Sequence, residues 1–118
     1  MRLIFALGFL SSIFFSSAAS AELKRITDRS EFLNIVEGRS LTRPLIKLFV
    51  TADGNITGSG ATLPVSGSWT WKDGFFCRDM TWGKRELGYN CQEVRADSVT
   101  IRFTSDQGSG DFADFKLR

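Results

Sequence analysis

The sequence has no histidine among its 118 residues, only two cysteines, and almost no net charge: 15 basic side chains against 13 acidic ones leave +2. Each shortage excludes a class of chemistry. Without imidazole there is no histidine general base, no histidine-containing metal site and no Ser–His or Cys–His catalytic pair. A charge so near balance gives no electrostatic reason to bind nucleic acid or an anionic membrane. The length suits one domain and leaves no room for separate cofactor and substrate lobes. Motifs are missing too. Gly58 and Gly60, or Gly108 and Gly110, do not form the Gly-x-Gly-x-x-Gly turn that joins a strand to a helix around a dinucleotide. Gly58-Ser59-Gly60 and Ser66-Gly67-Ser68 have the wrong spacing for a nucleophile elbow. The acids of Asp53-Gly54-Asn55 lack the spacing and the closing glutamate of a calcium loop. No cofactor and no metal site is expected, and no catalytic residue is assigned. Asp106, Asp111 and Asp114 lie close in sequence, which loop solubility explains as well as function would. Asn55-Ile56-Thr57 is a glycosylation sequon that matters only in a eukaryotic secretory pathway.

What is present starts with a leader. Arg2 is followed by an apolar run from Leu3 to Phe15, then a small polar stretch ending Ala19-Ser20-Ala21. That is the order of a secretory signal peptide, and the run is too short to span a bilayer at about 20 residues per crossing. Residues 1–21 are therefore expected to be a signal peptide and residues 22–118 the single mature domain, periplasmic or secreted, with no transmembrane segment. In an oxidising compartment Cys77 and Cys91 are expected to form one structural disulfide, since their spacing is not that of a redox-active Cys-x-x-Cys pair.

The domain begins with a helix. Asp28 followed by Glu31 reads as a capping box, Phe32, Ile35 and Val36 form an apolar stripe, and Gly38 supplies the stop, giving a helix over about 29–37. The pattern then turns to period 2. Strands are expected over Leu45–Ala52, Val65–Lys72, Phe75–Trp82, Leu87–Arg95, Ser98–Thr104 and Asp111–Leu117, with tight turns at Asp53-Gly54, Asp73-Gly74 and Ala96-Asp97. A two-residue turn at Asp73-Gly74 sets Trp71 opposite Phe76 and Trp69 opposite Arg78. Pairing Cys77 with Cys91 sets Asp79 against Tyr89. A turn at Ala96-Asp97 sets Val94 opposite Val99 and Gln92 opposite Ile101. One face then collects Trp69, Trp71, Phe76, Met80, Trp82, Val94, Val99, Ile101 and Phe103, and three separately placed turns agree on it. The expected fold is α+β: one short N-terminal helix packed on an antiparallel meander of about six or seven strands, which can also curl into a partial barrel.

The same register projects Arg78 from the aromatic face among Trp69, Trp71, Met80 and Trp82, with Gln92 nearby. A guanidinium among indoles can stack on them and offer a fork to a carboxylate or phosphate. Trp69, Trp71, Arg78, Trp82 and Gln92 are thus the candidate ligand-binding residues. The alternative makes the tryptophans ordinary core and pairs Arg78 with an acid at the sheet's rim.

Gly38-Arg39-Ser40-Leu41-Thr42, Asp53-Gly54-Asn55-Ile56-Thr57-Gly58, Val65-Ser66-Gly67-Ser68-Trp69-Thr70-Trp71, Phe76-Cys77-Arg78, Cys91-Gln92 and Val99-Thr100-Ile101-Arg102-Phe103 together resemble a family of small exported alphaproteobacterial proteins. Members of that family often carry the name dihydrodipicolinate reductase. The resemblance implies a bacterial, periplasmic protein. The reductase name implies a nicotinamide-dependent enzyme with a nucleotide-binding domain and a histidine- and lysine-containing catalytic motif, and this chain has neither, so no catalytic residue carries over. Three classes of function remain: a binding or interaction module for a protein or small-molecule partner, an enzyme working with Asp, Glu or Lys, and a passive cell-envelope component. The first is the expectation, with Arg78 and the tryptophans lining a pocket or apolar patch.

Overall fold

The computed structural model of the chain describes Gly8 and residues 22–118; the leader expected over 1–21 lies, apart from Gly8, outside the described residues. Within 22–118 the chain is mostly β. A short strand β1 (Lys24–Ile26) and a helix α1 (Arg29–Val36) precede eight strands: β2 (Leu41–Arg43), β3 (Ile46–Val50), β4 (Asn55–Gly60), β5 (Leu63–Lys72), β6 (Phe75–Trp82), β7 (Arg85–Ala96), β8 (Thr100–Thr104) and β9 (Phe112–Leu117).

These eight close into an antiparallel barrel. Successive strands pair as hairpins from β2 round to β9, and β9 then pairs with β2 through Leu41 opposite Leu117 and Thr42 opposite Lys116. β1 lies outside that count: it pairs with residues 94–96 of β7, continuing the edge that β6 occupies along residues 85–92. The sequence expectation of six or seven strands in a meander or partial barrel is therefore corrected to a full barrel with a ninth strand added. Closure removes the two unpaired edges an open meander would leave to solvent.

The helix forms where expected, with one difference at its start. The Asp28 carboxylate accepts from the Ser30 backbone N–H at 3.2 Å and from the Ser30 hydroxyl at 3.1 Å. Glu31 does not complete the box; its carboxylate lies 3.9 Å from the Lys24 ammonium. Gly38, at φ +73°, takes the left-handed conformation that ends a helix.

Alternation along each strand sends one set of side chains inward. Leu41, Leu48, Val50, Ile56, Val65, Trp69, Phe76, Val94, Ile101, Phe103 and Phe115 are buried together in the barrel interior. The β3–β4, β5–β6 and β7–β8 turns all lie at one end, and α1 lies across that end. Phe32 and Val36 are fully buried there, and the Phe32 ring packs against Trp69, Trp71, Phe76 and Phe103 at centroid distances of 5.3, 5.0, 5.2 and 6.4 Å. Hydrogen bonds tie the same end together: Arg29 donates to the Ala52 carbonyl, Trp71 to Thr27 and Arg39 to Ser98. The barrel is thus stoppered at one end, and the β2–β3, β4–β5, β6–β7 and β8–β9 turns surround the other.

The expected pairing of Trp71 with Phe76, Trp69 with Arg78, Asp79 with Tyr89 and Cys77 with Cys91 is found, and the two cysteines form the disulfide. The β7–β8 register differs. Val94 faces Phe103 and Ala96 faces Ile101, instead of Val99 and a strand starting at Ser98. The Asp97 carboxylate accepts from the backbone N–H groups of Val99 and Thr100 at 2.9 and 2.8 Å, which holds residues 97–99 in a longer turn. Val99 is exposed at that turn, a correction to its expected place on the inner face. The slip is by an even number of residues, so Ile101 and Phe103 still point inward.

Candidate functional site

Two cavities lie toward the end of the barrel away from the helix. The first, of about 260 Å³, is walled by apolar side chains including Leu41, Ile56 and Phe103, and by four polar ones: Arg78, Gln92, Ser105 and Asp111. The second, of about 390 Å³, is lined by Leu45, Ile46, Trp82 and Leu87 among others and by no charged residue. Leu48, Met80 and Phe115 belong to both walls. An eight-stranded barrel has an interior just wide enough either to be filled by side chains or to hold one small molecule. Here the half beneath α1 is filled by aromatic rings and the opposite half is not.

Each polar group reaches the cavity for a reason of register. β6 runs Phe76 in, Cys77 out, Arg78 in, and β7 pairs with it so that Gln92 stands opposite Phe76 and Asn90 opposite Arg78. Arg78 donates from Nη1 to the Gly88 carbonyl at 2.7 Å. It joins none of the three ion pairs found among the described residues, which use Lys24, Arg95 and Arg102. Burial pushes its pKa below the ordinary arginine value, opposed only by the neighbouring charge of Asp79. The side chain is far too basic for that to discharge it, and the shift registers the desolvation its cation bears. Gln92 is buried and donates to the Ser105 hydroxyl at 3.4 Å, a long and weak contact. The loop between β8 and β9 is held over this region by Asn90, which donates to the Asp106 carboxylate at 2.8 Å and accepts from the Asp106 N–H at 3.0 Å.

Comparison with known proteins adds nothing to this geometry. No family model, curated protein or solved structure matches the chain.

The five residues singled out from sequence are divided by the fold. Arg78 and Gln92 line the first cavity and Trp82 the second, whereas Trp69 and Trp71 line neither and sit under the helix. All three indole N–H groups are taken by backbone carbonyls: Trp69 by Thr51 at 2.9 Å, Trp71 by Thr27 at 3.1 Å and Trp82 by Gly60 at 2.8 Å. The cation over the Trp69 ring is Arg29, at 5.3 Å from the ring centroid, not Arg78. Sequence reasoning missed Ser105 and the aliphatic lining from β2 to β4, and it named Asp111 only in a cluster of acids without a role. These reach the cavity only because the sheet closes, and no local pattern carries that information.

Outside the barrel, Arg102 and Asp114 face each other across β8 and β9 in a two-bond pair at 2.7 and 2.9 Å, which holds the Asp114 carboxyl below its usual range. Among the described residues there is no group of three or more metal-ligating side chains, and no helix is long and apolar enough to cross a membrane.

Proposed function

We propose that the protein is an exported binding module that takes a small, mostly apolar molecule into the open half of its barrel. The observation that carries this reading is the pair of adjoining cavities left unfilled opposite the helix, in a domain whose other half is densely packed with aromatic rings. Cavities of this size sit at the low end of the range for small-molecule sites, which are typically apolar with a few convergent polar groups. The exposed rim supports it as well: Leu45 is 80% exposed and Leu87 42%, and both line the second cavity. An apolar mouth has a use where an apolar molecule must enter, and it gives a passive envelope component no advantage. Export rests on the Arg2, apolar-run and Ala19-Ser20-Ala21 order, and the resemblance to small exported alphaproteobacterial proteins agrees with it.

Native mass spectrometry of the protein recovered from its host's periplasm tests the reading. The expected result is an added mass of roughly a few hundred daltons, the size such a cavity accommodates. Ala113→Phe, which places a ring in the first cavity, should abolish the added mass at a stability cost of about 1–3 kcal/mol. A bare mass from both proteins, with no uptake of an apolar fluorescent dye by the wild type, would overturn it.

A further inference from the structure

We propose that the molecule taken up is a monoanionic amphiphile, such as a fatty acid, seated with its charged head on Arg78 and its chain along the wall shared with the apolar mouth. This rests on the reading above and specifies its ligand. The guanidinium stands in a largely apolar wall with one of its five N–H groups bonded to the Gly88 carbonyl and no ion pair among the described residues. The acids nearest it, Asp79 as the adjacent charge and Asp111 in the same wall, form no ion pair with it. The partly desolvated cation therefore keeps unused donors, and a bidentate carboxylate fills them with two short charge-assisted hydrogen bonds. Gln92 and Ser105, joined to each other only by a 3.4 Å contact, lie in the same wall to complete the head-group site.

The charge count sets the class. Among the described residues Arg78 is the only cation in either cavity wall, and Asp111 adds a negative charge to the first. Arg78 and Asp111 leave the wall neutral overall, so a single negative charge seated directly on the guanidinium is the most the site can pair, and a second would meet no cation and would feel Asp111. The tail follows from the shared residues. From Arg78 the cavity leads past Met80, Leu48 and Phe115 to Trp82, Ile46 and Leu45, with no charged side chain to interrupt an alkyl chain.

Dodecanoate and 1-dodecanol, which differ only in the head group, are the probes, with binding followed by tryptophan fluorescence below their aggregation concentrations. Dodecanoate is expected to bind roughly 10–100-fold tighter, as a hydrogen-bonded charge contributes over its neutral counterpart. Arg78→Met should erase that preference by weakening dodecanoate far more than dodecanol, and Arg78→Lys should retain part of it, since a point charge replaces the fork. Equal binding of acid and alcohol by the wild type would overturn the proposal and leave the apolar-ligand reading standing. Binding of neither would overturn both.

Discussion

Replacing Phe32 by alanine is expected to remove about 3–5 kcal/mol of stability, read as a fall in denaturation midpoint at constant slope. Phe32 is the one side chain through which α1 engages every neighbouring aromatic of the interior: it stacks on Trp71, meets Trp69 and Phe103 edge-on and tilts against Phe76. It is fully buried, and its neighbours are held in place by their own strands, with Trp69 further pinned to Thr51 by its indole bond. The space left by the ring therefore cannot collapse, and the cavity contribution adds to the lost transfer energy. Phe32→Leu, which keeps most of the volume, should cost much less. A loss under about 1 kcal/mol for the alanine variant would mean that the helix does not seat its ring in the barrel end.

Removing the disulfide is the second large effect. Cys77 and Cys91 are 14 residues apart, and closing a loop of that length contributes on the order of 3 kcal/mol on the chain-entropy account. In a domain of roughly 100 residues each kcal/mol corresponds to about 4–8 °C, so Cys77→Ser with Cys91→Ser should lower Tm by about 12 °C or more. The same loss should follow from reduction of the wild type, and an unchanged Tm on reduction would refute it. The bond has a second role by position. Cys77 precedes Arg78 and Cys91 precedes Gln92, so the covalent link on the outward face of the sheet, itself buried at Cys77, fixes the register of both polar residues on the inward face.

How much of this was legible in the sequence depends on the range of the signal. The β5–β6 register and the β6–β7 register from Phe76 to Met80 follow from a tight turn and a cysteine pair, both local, and they put Arg78 and Gln92 on the inner face. The one-residue shift between Met80 and Thr81, which sets Trp82 opposite Arg85, carries no such signal. β4 was not legible, because Asn55-Ile56-Thr57-Gly58-Ser59-Gly60 offers one large apolar side chain and two glycines. The fold explains one of those glycines: a Cβ on Gly58 would lie 2.0 Å from the Lys47 carbonyl oxygen, and its φ of +146° is strained for any other residue. A position dictated by close backbone approach carries no hydrophobic mark. The β7–β8 slip came from the Asp97 side chain, whose bonds to two backbone N–H groups lengthen a turn that Ala96-Asp97 alone suggested was tight. In sequence the aromatic cluster forms one candidate site, and the helix divides it: Phe32 takes Trp69 and Trp71 for packing and leaves Trp82 to the cavity.

The closure of the barrel has a consequence for how the chain must assemble. Seven of its eight wall contacts join strands consecutive in sequence, so each can form as the chain zips locally. The eighth joins Thr42 to Lys116 across 74 residues through two strand pairs, reinforced where Ser40 and Arg118 exchange backbone hydrogen bonds of 3.0 Å each. That seam comes last, since it alone requires the whole wall to be curled before its contacts reward the loop it closes. Until then the chain is a sheet with two free edges, β2 and β9, complementary to each other in register. Complementary edges can meet within one molecule or between two, so refolding in dilute solution favours the closed monomer and concentrated solution favours strand exchange between copies.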